Sequence, residues 1–232
     1  FLKTGSNLQL QVAKFTEDLQ TLQELEREAA ELRIENRNLK ATNQLLRDLA
    51  AENKRLRRAL DYRERSVFVL LPAKVVTRDS NSWWNSVKVN RGFKDGVEPE
   101  MAVLTEEGMV GKTTTVAGSL SVVLLLTDET CQVAANVEGT REQGIVTGKR
   151  VVDSLNPVLE LKFLSKDARL RPGQRVFSSG AGGVFPSGVL LGTIREFEAG
   201  SLEGRAEVVP AVDLSSIQDL FIVRERKTGE EG

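Results

Sequence analysis

The hydrophobic period of this chain changes near Ser66, and no other feature limits its fold as strongly. Before that point apolar residues recur at heptad spacing. After it they come in short runs rich in Val, Leu, Ile and Thr, punctuated by Gly and Pro. A seven-residue repeat belongs to a helix that meets another helix, whereas short β-branched runs between turn residues belong to sheets. A helical stalk joined to a β-rich head suits a chain that positions other proteins better than one that turns over a substrate.

Placing Leu25, Leu32, Leu39 and Leu46 at heptad position d puts Leu8, Phe15, Leu22, Ala29, Asn36, Asn43 and Ala50 at position a. Leu at d with Asn at a is the pattern of a parallel two-stranded coiled coil. A buried Asn there bonds its mate across the seam only in a dimer in register. Leu25, Leu32, Asn36, Leu39, Asn43 and Leu46 are therefore the expected dimer contacts. Glu28 would face Arg33 of the partner, and Glu35 would face Lys40, each pair contributing about 1 kcal/mol or less. Gln11 and Asp18 at d and Arg57 at a weaken the seam's ends. A register shift would return Leu49, Leu56 and Leu60 to it together with Asn53. The competing reading is a single amphipathic helix packed on its own head. Fully helical, residues 7–62 would reach roughly 80 Å. The basic stretch of Lys54, Arg55, Arg57, Arg58, Arg63 and Arg65 reads as a solvated helix end whose cations suit the C-terminal dipole, with contact to anionic lipid or a wall polymer as the alternative.

Composition narrows the chemistry. The 232 residues carry a formal charge of −1, so no global field draws the chain to nucleic acid. The absence of His excludes imidazole bases, catalytic triads and His-ligated metal sites. One cysteine, Cys131, forms neither an internal disulfide nor a thiolate cluster. No run of about 18 apolar residues exists to span a bilayer. The start at Phe1 suggests an excised fragment, with a membrane anchor expected upstream.

In the head, the spacing predicts strands at Val67–Leu71, Lys74–Thr77, Ser86–Val89, Ala102–Thr105, Val110–Thr115, Ser121–Leu126, Gln132–Val137 and Gly144–Val146. Further strands are predicted at Val158–Phe163, Arg175–Phe177, Val189–Arg195, Ala206–Pro210 and Leu220–Val223. Many short strands at regular spacing argue for small barrels. A weak repeat argues for two. Val97-Glu98-Pro99 followed by Val103-Leu104-Thr105 matches Leu170-Arg171-Pro172 followed by Val176-Phe177-Ser178, and a Gly-flanked step follows each. The division reads as a coiled-coil helix over 1–65, a first barrel over 66–150, a second over 151–225 and a flexible tail over 226–232. The inter-barrel boundary is expected between Gly148 and Pro157, with strands from 206–223 as candidates to return and complete the first barrel.

Motifs of enzymatic chemistry are weak. Gly111-Lys112-Thr113 ends like a phosphate loop, but Glu106 stands where its first Gly belongs and no helix signal follows. Ser178-Ser179-Gly180 has no base to activate a nucleophile. The adjacent carboxylates Asp128-Glu129 and Glu106-Glu107 point apart in extended chain. No cofactor is indicated. Trp83-Trp84 lies in a strand-like run, where one ring can enter the core while the other faces a partner. Phe185-Pro186, within the glycine-rich tract 178–192, would plug a loop onto a barrel. Trp83, Trp84 and Phe185 are the candidate partner contacts.

The tract from Ser179-Gly180 through Phe185-Pro186-Ser187-Gly188 to Gly192-Thr193-Ile194 resembles the C-terminal signature of the MreC family of rod shape-determining proteins. Trp83-Trp84 with Asn90-Arg91-Gly92-Phe93-Lys94-Asp95-Gly96-Val97 is similar to its first-barrel entry, and Gly108-Met109-Val110-Gly111 and Leu124-Leu125-Leu126-Thr127-Asp128 fit the stretches that follow. Gly173-Gln174 stands where the family usually has Gly-Asp, and Ser178 where it usually has Thr. The resemblance implies a mainly β fold behind a dimeric helix, and a non-enzymatic scaffold of the cell-elongation complex. It also implies an inner-membrane anchor with this part in the periplasm or extracytoplasmic space. Implied partners are a class B penicillin-binding transpeptidase, MreD, RodZ, a SEDS glycosyltransferase and the actin-like MreB, with filaments of the chain itself also expected. The alternative is an adaptor subunit of an envelope secretion or efflux assembly, which would need two antiparallel helices where one heptad segment exists.

Overall fold

The computed structural model describes residues 4–78, 85–149 and 157–226, except the side chains of 4–26, 28–30, 225 and 226. The chain divides into two compact units, Phe1–Arg57 and Arg58–Gly232. One helix, α1 (Thr4–Arg65), is 62 residues long. Its length fits a sequence with no Pro and, after Gly5, no Gly before residue 66. No helix among the described residues is long and apolar enough to cross a membrane. The predicted stalk is thus a continuous helix.

Among the described residues twelve strands follow: β1 (Phe68–Thr77), β2 (Ser86–Val89), β3 (Ala102–Leu104), β4 (Met109–Val116), β5 (Ser121–Leu125), β6 (Val133–Val137), β7 (Gln143–Lys149), β8 (Val158–Leu164), β9 (Arg175–Ser178), β10 (Leu190–Ala199), β11 (Gly204–Pro210) and β12 (Asp219–Arg226). They close into two six-stranded barrels, β1-β12-β3-β4-β5-β2 and β10-β11-β8-β7-β6-β9. The architecture is mainly β behind a long N-terminal helix, with every inter-strand pairing antiparallel. Closure leaves no open sheet edge. Alternating burial then fills each lumen: β5 and β6 both read buried, half-buried, buried, half-buried, buried. The interior holds Leu104, Met109, Leu125, Leu159, Leu161, Leu191 and Ile222, all 1 % exposed or less.

The two rings have one plan. Shifting each of β1–β5 by six strands gives β7–β11 in the same ring order, and one place remains in each ring. Strand β12 fills that place in the first barrel and β6 fills it in the second. A plain tandem repeat would have put β6 first and β12 second, so the sixth strands are exchanged. This corrects the sequence-based division. Residues 133–149, expected in the first barrel, form β6 and β7 of the second. The crossing lies between Leu125 and Val133, and β11 stays in the second barrel. The repeat reveals the unit, but alternation within β6 is the same whichever ring it joins.

Two details show how neighbouring strands shape the ladder. Strand β1 runs through Pro72, where the sequence predicts a break. The Pro72 carbonyl accepts from Arg91 Nε (3.0 Å) on the edge that β2 joins only from Val75 onward. Because N–H and C=O of one strand residue share an edge, the missing Pro N–H removes no ladder bond. At the hairpins, a Cβ on Gly111 would lie 1.8 Å from Leu124 O, and one on Gly192 would lie 2.1 Å from Val209 O. Each glycine lets a neighbouring strand cross at the same place in its ring.

The last turns of α1, from Arg58, belong to the barrel unit. The Tyr62 ring lies 5.6 Å from that of Phe221 on β12, and Arg58 pairs with Glu106 at 3.5 Å. Burial pushes the Tyr62 hydroxyl's pKa up.

Candidate functional site

The expected dimer seam is bare. Leu32, Leu39 and Leu46 are 56, 56 and 57 % exposed, and Asn36 and Asn43 are also exposed. The Leu25 side chain lies outside the described set. Leu49, Leu56 and Leu60, the residues of the shifted register, are exposed as well. Ion pairs within the helix, such as Arg27 with Glu31 at 3.1 Å and Arg55 with Glu52 at 2.5 Å, lie away from this face. Such pairs support an exposed helix weakly and cover none of its leucines.

Of the expected partner contacts on the head, Trp83 and Trp84 lie outside the described residues. Phe185 is 5 % exposed and packs in the core. This corrects its reading as an exposed anchor, since the ring serves as the plug of the glycine-rich loop. Other side chains are exposed instead. Phe93 is 62 %, Phe163 60 % and Leu202 91 % exposed. Phe163 is turned outward by a bulge: Lys162 and Phe163 stand opposite one residue of β11, between buried Leu161 and Leu164. Its φ of 64° is left-handed, a strained state for an aromatic residue. The signal was available in the sequence, because Leu161-Lys162-Phe163-Leu164 breaks the period of two.

The weak enzymatic motifs are placed in structural roles. Lys112 Nζ pairs with Glu100 at 2.6 Å. The buried Thr113 hydroxyl donates to Glu98 O (2.6 Å) and accepts from the Met101 N–H (2.9 Å). The buried Ser178 hydroxyl donates to Pro186 O (2.5 Å) and accepts from the Val189 N–H (3.0 Å), which ties the loop to its strand. Asp128 caps its own turn by accepting from the Thr130 N–H at 2.8 Å. Cys131 is fully buried, and desolvation pushes its thiol up to about 12. Among the described residues no group of His, Cys, Asp or Glu is arranged to hold a metal ion.

Between the barrels lies a cleft of about 550 Å³. The first barrel contributes Phe68, Glu100, Met101, Ala102, Val223 and Arg224, and the second contributes the loop from Ser179 to Ser187. Sequence reasoning missed Glu100 and Arg224. They are distant in the chain and meet only because β12 returns to the first ring.

The chain matches the family model described as "Rod shape-determining protein MreC, barrel core" over residues 75–224. It is 34 % identical to the cell shape-determining protein MreC of Listeria monocytogenes over 213 residues, covering 90 % of this chain and 66 % of that protein. It is 29 % identical to MreC of Cereibacter sphaeroides, covering 92 % and 68 %. The chain thus spans about two thirds of the length of these two relatives. Among solved structures, L. monocytogenes MreC superposes with a TM-score of 0.64 at 33 % identity, covering 87 % of this chain and 98 % of that one. The chain of a penicillin-binding protein–MreC complex from Helicobacter pylori shares the fold, with a TM-score of 0.53 at 18 % identity, covering 67 % and 98 %. A family match over most of the head, and a relative a third identical over nine tenths of the chain, agree with the two rings seen here: this chain belongs to the MreC family of rod shape-determining proteins.

Proposed function

We propose that this chain is a non-enzymatic scaffold of the bacterial cell-elongation complex. In this reading, α1 pairs two copies in parallel outside the cytoplasm, below an inner-membrane anchor. The barrels bind a class B penicillin-binding transpeptidase and shift it toward its active state. MreD, RodZ, a SEDS glycosyltransferase and MreB complete the complex, and head-to-head association into filaments is a further mode. The observation that carries the reading is the bare leucine seam, with a polar Asn in each of two adjacent heptads. A helix with such a stripe is stabilised by a second helix, and the Asn pair selects a parallel dimer. The H. pylori relative, of the same fold, was solved with a penicillin-binding protein. That supports a transpeptidase as the partner here. Phe163 is the barrel residue best placed as its anchor, because it combines a left-handed φ with an exposed ring.

The test is calorimetric titration of this chain into the extracytoplasmic region of the transpeptidase from the same organism, with Phe163→Ala alongside. Saturable binding by the native chain, weakened about tenfold or more by the substitution, is expected. No heat from the native chain would remove direct binding from the proposal. Equal binding by both would move the contact elsewhere on the head.

A further inference from the structure

We propose that the cleft between the barrels binds the C-terminal carboxylate of an extended peptide whose last residue is apolar. The inference is independent of the transpeptidase reading.

The cleft's size lies within the range of ligand sites. Its walls divide by chemistry. Phe68, Met101, Val184, Phe185 and Val223 give an apolar floor for one side chain. Two charged residues face it. Glu100 is neutralised by Lys112 Nζ at 2.6 Å. Arg224 is exposed and has neither a hydrogen bond nor an ion pair among the described residues. The charge left over is therefore one guanidinium, whose forked donors match a carboxylate.

The opposite wall supplies neutral donors. The N–H groups of Gly180 and Val184, both lining the cleft, donate to no acceptor among the described residues. The loop is held in this form by Ser178 at its base and by left-handed glycines at 180, 182, 183 and 188. A Cβ on Gly183 would meet nothing within 4 Å, so its backbone is open to an approaching chain. One surplus cation, free backbone N–H groups and an adjoining apolar floor fit a terminal carboxylate followed inward by an apolar side chain. Glu100 sits at a positive φ of 64° in the rim, where its counterpart in the second barrel is Gly173 at 88°.

The test uses the full chain, labelled for amide NMR, and acetyl-Gly-Gly-Leu with a free carboxylate. Saturable shifts are expected at Gly180, Gly183 and Val184, with half-saturation below about 10 mM. The C-terminal amide of the same peptide, and Arg224→Ala with the acid form, should each bind about tenfold more weakly or worse. Arg224→Gln gives a second neutral variant, and the dispersion of the spectrum reports whether each variant is folded. A peptide with an internal Glu and an amidated end distinguishes a side-chain carboxylate from a terminal one. No saturation by the acid, equal binding of acid and amide, equal binding by both folded variants, or preference for the internal Glu would each overturn the proposal.

Discussion

Leu39 on the helix is 56 % exposed, while Leu159 in the second barrel is fully buried. Both belong to an apolar pattern with the period of their element. The helix presents its stripe along one side and has nothing within the described chain to cover it. Each barrel curls its apolar face inward and closes, so the same kind of side chain is covered by its own sheet. The helix therefore leaves its apolar stripe uncovered, and the barrels cover most of theirs. On the proposed reading the difference is useful, because the stripe would carry the dimer and the closed barrels would be free to present their outer surface.

The largest expected effect breaks the self-sufficiency of the barrels. A chain ending after Pro210 lacks β12, which separates β1 from β3 in the first ring. That barrel should open, with amide protection lost across β1 and β3, a loss of the order of a whole domain's stability, several kcal/mol. Protection in β6–β11 should fall less, because the second ring keeps all six strands. If both barrels held, the exchanged-strand topology would be wrong. Next comes Gly111→Ala, whose methyl meets the Leu124 carbonyl. A loss of about 3 kcal/mol or more is expected in denaturant unfolding. Gly173→Ala, strained in its φ but free of any clash, should lose about 1 kcal/mol.

The sequence made the elements legible and left their partners obscure. Period and turn residues placed strands within a few residues wherever the fold is locally determined, as at Ser86–Val89. They split β1 at Pro72 because the consequence of a missing N–H depends on which edge a neighbour occupies. They put β6 in the wrong ring because ring membership is a long-range choice. The stripe of Leu32, Leu39 and Leu46, exposed in the structure, was readable from spacing alone. Phe185 was misread as a partner contact because residue type does not distinguish a plug from an anchor. Arg224 was missed because an isolated Arg near a strand end carries no pattern.

Smaller effects sharpen the contrast. Leu39→Ala should weaken self-association by about 2 kcal/mol or more, since a seam leucine is lost from both copies, while the barrels' melting transition stays put. A shift in that transition would mean the seam packs on the head instead. Burial of Cys131 gives a pH signature confined to the barrels. Its thiol is raised from 9.0 to about 12 in the folded chain. The neutral thiol is thus favoured by folding, so this contribution is complete below about pH 9 and is lost as pH rises toward 12. Iodoacetamide at pH 8 should modify Cys131 only after unfolding. Smallest is Glu100→Gly, which relieves a left-handed φ but removes the pair to Lys112. A change within about 1 kcal/mol is expected.

Sedimentation equilibrium of the native chain beside Leu32→Ala/Leu39→Ala/Leu46→Ala, over a range of concentrations, tests the central claim most directly. The account predicts a reversible dimer for the native chain and a folded monomer for the triple variant, with unchanged β-sheet signal. A native chain that stays monomeric, or a variant that still dimerises as tightly, would contradict it.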